Sequence, residues 1–270
     1  MTLVEALKLV QSSRTSSADP FRAALVCGFT PLHLQTFLHA ELQIAYPSRR
    51  VEIQTGHFGD LTGTLRSAVR ERLDVVALVI EWADLDARLG TRQLGGWAPG
   101  QMADIVERAS GVLDHIAQLA AELTCPLAIT LPTLPLPPLF TPPGWQAGAH
   151  ELQLHAAISG FASKLAARGN VRITSAQRLG EQSPPAQRFS AKAEWTAGFP
   201  YHLPHASAVA ALLASALAVP APKKGLITDL DNTVWRGIVG DVGVPNICWD
   251  LDRKAHQHGF YQQMLSTLAE

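Results

Sequence analysis

Five apolar runs of strand length alternate with stretches of helical periodicity, and this alternation limits the chain to few architectures. The runs are Ala23 to Cys27, Val51 to Thr55, Leu73 to Ile80, Pro126 to Leu131 and Val171 to Thr174. Between them, Leu34, Phe37, Leu38 and Leu42 recur at helical spacing, as do apolar residues in 61–72, 101–123 and 151–168. A helix over 207–217 closes the region. The run from Leu73 to Ile80 reads as a strand buried on both faces, which is a property of parallel sheets. Strand–helix alternation of this kind predicts an α/β domain built on a parallel, doubly wound sheet. Ligands of such sheets bind beyond the carboxyl ends of the strands. The loops after Cys27, Thr55, Ile80 and Leu131 are therefore the places to look in this region.

Apolar residues make up 47% of the 270 residues and charged residues 17%, enough for a real core and against disorder. The formal net charge is -1, so nothing draws the chain to nucleic acid or to an anionic membrane. Cys27, Cys125 and Cys248 are three widely spaced cysteines with no CxxC pair, which fits reduced thiols in a cytoplasm. Leu3, Ala6, Leu7 and Val10 suit a short amphipathic helix, and Glu5 argues against a signal peptide. The Ala-rich stretch 206–219 is too short to span a bilayer. The proline-dense stretch 131–144 reads as an extended surface loop and rigid connector. Val219-Pro220-Ala221-Pro222, followed by Lys223 and Lys224, reads as a stiff linker. The expected organisation is a helical arm over 1–20, an α/β domain over 21–218, a linker over 219–224 and a further domain over 225–270.

The run Gly225-Leu226-Ile227-Thr228-Asp229-Leu230-Asp231-Asn232-Thr233 carries the clearest chemistry. It reads as a buried strand ending in two carboxylates. In a strand, Asp229 and Asp231 project to the same side. Two carboxylates there repel unless a cation lies between them, and hard oxygen ligands suit Mg²⁺ with its waters and a substrate phosphate. One carboxylate can attack phosphorus and the other can act as acid and base.

Asp-x-Asp-x-Thr after an apolar strand resembles the first motif of the haloacid dehalogenase (HAD) superfamily, mostly Mg²⁺-dependent phosphatases and phosphoryl-transfer enzymes. The resemblance implies that Asp229 is the nucleophile and a metal ligand. It implies that Asp231 is the acid/base with its carbonyl on the metal, and that Asn232 and Thr233 form the substrate-side loop, with Thr233 orienting it. Thr228 to Gly243, with Trp235 and a glycine-rich hairpin after the aspartates, is similar to the FkbH-like (HAD-IIIC) family. Members of that family load three-carbon acyl units from a phosphorylated small molecule onto an acyl carrier protein, or are described as phosphatases. They typically carry an N-terminal domain resembling the SGNH hydrolase fold, and the segment 191–201 is similar to their domain junction. The implied fold is thus an SGNH-like (flavodoxin-like) domain followed by the first strand, hairpin and helix of a HAD Rossmann-like domain.

Departures from the family shape the expectation. After Asp231 the chain offers a hairpin, Asp250-Leu251-Asp252 and one helix over 253–270, without the later Ser or Thr, the Lys and the further carboxylates of a HAD site. The chain is therefore expected to be a truncated or split member, not competent alone in phosphoryl transfer. Lys223 and Lys224 lie at the wrong end of the strand to serve as the lysine. Asp250 and Asp252 read as a solvated turn, and His256 and His258 as exposed or capping. In the first domain no Ser follows the first strand. Thr30 reads as a helix N-cap, His57 is a candidate pocket residue, and Glu81-Trp82-Ala83-Asp84 follows the third strand. His202 and His205 are candidates for a base, without an Asp three residues before either. The alternative function is a non-catalytic SGNH-like module that recognises a carrier protein or an acyl group.

Overall fold

Strand residues in the first half of the chain alternate between two hydrophobic clusters, as a sheet covered on both faces requires. In the computed structural model, residues 1–14, 17–93, 102–137, 146–218 and 225–269 are described. They divide into two units, Met1–Val219 and Pro220–Glu270. The first unit holds five parallel strands: β1 (Pro20–Val26), β2 (Arg50–Thr55), β3 (Val75–Val79), β4 (Leu127–Thr130) and β5 (Val171–Ile173). Their order is β2-β1-β3-β4-β5, the flavodoxin-like arrangement, with the topological switch point between β1 and β3.

The helices between strands are α1 (Leu3–Arg14), α2 (Leu32–Ala45), α3 (Leu61–Arg70), α4 (Trp82–Leu85), α5 (Met102–Glu122), α6 (Ala149–Ala166), α7 (Ala176–Gln182), α8 (Ala191–Ala197) and α9 (Leu203–Leu217). Helices α3, α5 and α6 cover Val76, Leu78 and Ile80 of the β3 run on one face. Helices α2 and α9, with Ala6 of α1, cover Val75, Ala77 and Val79 on the other. All five residues of β3 are buried, so both faces need apolar side chains. The expected strands and long helices of this unit are present. Helix α1, which lies within the expected arm over 1–20, packs on α2.

The second unit departs from expectation. Residues 225–230 form no strand. Ile227 is 99% exposed, Leu226 59% and Leu230 53%. A strand needs a neighbour to accept and donate its ladder, and among the described residues of this unit no strand lies beside the segment. What remains is a pair of isolated bridges, Asp231 with Trp235 and Arg236 with Cys248, the second of them antiparallel and replacing the expected hairpin. A short helix α10 (Val239–Val242) and the helix α11 (His256–Ala269) complete the unit. The linker 219–224 and the prolines from 138 to 143 lie outside the described residues.

Leu78 is fully buried between β3 and its helix layer. Leu78→Ala should therefore cost about 2–5 kcal/mol of unfolding free energy through lost burial and the cavity left behind. Urea denaturation of the first-unit transition checks this.

Candidate functional site

The carboxylate loop of the second unit is closed by hydrogen bonds, with little help from apolar packing. The Leu230 carbonyl accepts from the amides of Thr233 (3.2 Å) and Val234 (2.8 Å), which turns the chain directly after Asp229. Asn232 sits at φ 55°, a left-handed conformation that Asn tolerates better than most residues. Its side-chain oxygen accepts from the Gly237 amide at 2.9 Å. Its own amide donates back to the Gly237 carbonyl at 3.3 Å. Gly237 lies at φ 111°, where a side chain would be strained.

Helix α11 clamps the loop. His258 Nδ1 lies 2.9 Å from the Thr233 carbonyl, and since a carbonyl only accepts, Nδ1 carries the proton. Gln262 Nε2 donates to the Val234 carbonyl at 2.7 Å. The hydroxyls of Thr228 and Tyr261 are 2.7 Å apart. His258, expected to be exposed or capping, is thus half-buried and binds the loop. Thr233 engages through its backbone at both ends.

The two carboxylates stand differently. Asp229 is exposed, and its Oδ1 accepts from the Leu230 amide at 2.8 Å. Asp231 is half-buried, and its Oδ1 accepts from the Trp235 indole N–H (3.1 Å) and the Val239 amide (3.2 Å). Among the described residues no group of three or more His, Cys, Asp or Glu is placed to hold a metal ion. Mg²⁺ is commonly held by one or two carboxylates and several waters, so the exposed Asp229 carboxylate, with waters, is a fitting donor for it.

Asp250 caps a separate turn, accepting from the Arg253 amide (2.8 Å) and Nε (2.9 Å). The Arg253 guanidinium holds its carboxyl below the usual range. A groove of about 750 Å³ runs between this turn and α11, lined by Trp249, Leu251, His256 and Phe260; neither Asp229 nor Asp231 lines it.

Beyond the carboxyl ends of β3 and β4, the first unit buries a polar chain. Glu81 accepts from Tyr201 Oη (2.6 Å), Thr133 Oγ1 (2.5 Å) and the amides of Thr133 (3.1 Å) and Leu134 (3.1 Å). Because the Thr133 hydroxyl donates to Glu81, its oxygen accepts from His205 Nε2 (2.9 Å), and Ser183 Oγ then donates to the bare Nδ1 (2.9 Å). Arg188 ties the same region together through the carbonyls of Ser183 and Thr133, each at 2.9 Å. Burial pushes the Glu81 carboxyl up, while its Thr133 and Tyr201 partners and the two amides pull the other way. Burial, Arg188 and His202 push His205 down to about 3, so the ring is neutral.

Asp84 lies beside β1, so close that a Cβ on Gly28 would stand 1.9 Å from its Oδ1. Its Oδ2 accepts from the Glu81 amide at 2.8 Å. Burial pushes Asp84 up to about 7, with Glu81 and Glu194 adding in the same direction. Burial also pushes the Cys27 thiol well up, which keeps it protonated.

Of the residues expected here, Thr30 does not cap α2; Pro31 holds that position with no side-chain hydrogen bond. His57 and His202 are exposed. His205 is fully buried with both nitrogens engaged, which leaves no nitrogen to serve as a base. Glu81, Thr133 and Tyr201 were not expected to act together. The visible signal was a Glu directly after a fully apolar strand, a position where a charge must find donors.

No family model matches the chain, and no curated protein matches it. Among solved structures, the N-terminal part of the protein BF1531 from Bacteroides fragilis, containing a phosphatase domain complexed with Mg, matches over 99% of this chain and 70% of its own, at 15% identity and a TM-score of 0.70. This likeness shows the fold. The salicylyl-acyltransferase SsfX3 from a tetracycline biosynthetic pathway matches over 75% of this chain and 55% of its own, at 12% identity and a TM-score of 0.38, which carries no argument. Among the described residues no helix is long and apolar enough to cross a membrane.

Replacing Glu81 by Gln turns one acceptor toward donors, and E81Q should lose about 1–3 kcal/mol of stability in urea unfolding. His205 gives a pH signature. Its ordinary value is 6.5 and its folded value is about 3. Between these the unfolded chain binds a proton that the folded one does not, so stability falls as pH drops below 6.5. The stability gap between wild type and H205Q should narrow by up to about 1.4 kcal/mol per pH unit between pH 6 and 4. A gap that stays constant with pH would show that His205 is charged in the fold.

Proposed function

We propose that the second unit carries the nucleophile segment of a Mg²⁺-dependent phosphoryl-transfer site of the HAD type. The observation that supports this most directly is the asymmetry of the two carboxylates: Asp229 is exposed on its loop, whereas Asp231 has one oxygen fixed by two N–H donors. The fold likeness to a protein part containing a phosphatase domain complexed with Mg agrees with this reading. Asp229 and Asp231 would hold the Mg²⁺, which when bound would screen the negative charge of the phosphoryl group.

In this reading an Asp229 oxygen forms a bond to phosphorus while the bond to the leaving oxygen breaks. Asp231 protonates that oxygen. Water then attacks phosphorus, Asp231 takes the water proton, and Asp229 is released. We extend the reading to FkbH-like chemistry, in which the donor is a phosphorylated three-carbon acid and the acceptor an acyl carrier protein. For the first unit a non-catalytic recognition role fits, because His205 and Glu81 are wholly engaged in internal hydrogen bonds.

The later residues of a HAD site are missing from this chain, so the test is Mg²⁺ binding, which needs no turnover. Isothermal titration calorimetry should find Mg²⁺ bound by the wild type and at least about tenfold more weakly by D229N. Equal binding by the two would sink the assignment of Asp229 to the site.

A further inference from the structure

Helix α8 sits in a loop of the first unit that closes on itself. At its neck Phe189 and Tyr201 form an antiparallel bridge. The Ser190 amide donates to the Pro200 carbonyl (2.8 Å), and the His202 amide to the Arg188 carbonyl (2.9 Å). The neck is anchored in the body of the unit, where Arg188, Phe199 and Tyr201 are buried. Between these anchors α8 buries none of its seven residues, and Trp195, Thr196 and Ala197 are exposed. A segment with a fixed neck and no core of its own belongs to the low end of local stability.

The far side of this loop rests on the carboxyl end of the sheet. The Thr30 amide, after β1, donates to the Gly198 carbonyl at 2.8 Å. Gly198 lies so close to Phe58 that a Cβ on it would stand 2.7 Å from the ring. Arg92 Nε donates to Glu194 Oε1 at 2.7 Å. The same guanidinium donates to the Glu194 carbonyl and lies 5.2 Å from the Phe58 ring centre. Arg92 is exposed, and an ion pair on the surface is a weak fastening.

The charge beneath the loop is unfavourable. The second oxygen of Glu194 is buried and accepts no hydrogen bond from the described residues, which is costly for a carboxylate. Asp84 is close enough to feel that charge. Burial first, then Glu81 and Glu194, push its carboxyl up to about 7, against the amides of Glu81 and Gly28. The groups that face Asp84 are the Cys27 thiol after β1, Glu81 ahead of α4 and Glu194 of α8, the last paired with Arg92. A negative Asp84 would face two further carboxyl groups, and like charges at close range repel. Lifting the loop carries Glu194 into water and relieves that repulsion.

We propose that residues 190–198 form a flap over the β1/β3 switch point, latched by Arg92 on Glu194 and released when Asp84 becomes negative. The closed flap holds the Asp84 proton more tightly than the open flap does. Raising the pH toward 7 therefore favours opening. Above 7 Asp84 is ionised in both states and the effect levels off. Ligands of such sheets bind at the switch point, so the flap gates that crevice.

The Thr30 amide reports on the latch, because its hydrogen bond to Gly198 joins flap and body. Its hydrogen exchange is read by ¹⁵N NMR and divided into the intrinsic rate at each pH. This protection factor should fall at least about tenfold between pH 5 and 7 and then level off. At every pH Thr30 should exchange faster than the Val76 amide, which is bonded to Pro126 within the sheet. Equal protection of the two would mean that the whole unit unfolds, and would overturn the flap. R92A should speed Thr30 exchange at every pH, and D84N should abolish the pH dependence. Where D84N does not fold, E194Q on the open face of α8 serves instead, and should cut the tenfold fall to about threefold. A Thr30 protection factor constant with pH in the wild type, or a fall in E194Q equal to that of the wild type, overturns the proposal.

Discussion

One buried carboxylate organises the carboxyl end of the first unit's sheet. Taking Glu81 out of water costs several kcal/mol, and the cost is offset only if its oxygens find donors. They come from three parts of the chain: the backbone and hydroxyl after β4, the Tyr201 hydroxyl before α9, and, one step further, His205 through Thr133. The requirement fixes more than a bond. It sets the direction of the Thr133 hydroxyl, hence the tautomer of His205, hence the donor role of Ser183. A region that a doubly wound sheet usually leaves open to ligands is here cross-linked from within.

The same logic, reversed in degree, describes Asp231 in the second unit. There one oxygen takes two donors, and the other accepts no hydrogen bond from the described residues. A fully satisfied carboxylate such as Glu81 is a structural link. A half-satisfied one with a fixed orientation fits the acid/base role proposed for Asp231. That contrast, more than burial or motif alone, separates the two sets of acidic residues.

The sheet was legible in the chain because its signal is redundant. Each run such as Leu73 to Ile80 must be apolar on both faces, and each intervening helix must present a stripe. Helix α8 was not read, although Ser190 caps it through the Ala193 amide and Gly198 ends it at φ 67°. A helix of seven residues gives too few periods to stand out. The Glu81 cluster was invisible for another reason: Thr133, Ser183, Tyr201 and His205 are joined only by the fold. The segment 226–230 misled in the opposite direction. Its apolar residues read as a buried strand, yet periodicity records only what a segment can pair with, not whether a pairing neighbour is there. The carboxylate positions and the Asn232 turn were readable because spacing and turn chemistry are local.

Locality also explains how the carboxylate loop holds its shape in a unit with so little core. Among its described residues the buried apolar ones are Cys248 and Ala255, while Phe260, Met264 and Leu268 of α11 are exposed. Hydrophobic burial therefore contributes little to fixing Asp231. The reciprocal Asn232–Gly237 bonds, the His258 and Gln262 clamps and the Trp235 indole do so instead, each spanning at most 28 residues of chain. Contacts of short span close with little loop entropy, so such a loop can assemble before any large core exists around it. Its hydrogen bonds are also partly open to solvent, which puts the loop at the low end of local stability. The geometry that orients the Asp231 carboxylate is thus written into some thirty contiguous residues, and it answers to polar substitutions within them more than to changes in any apolar core.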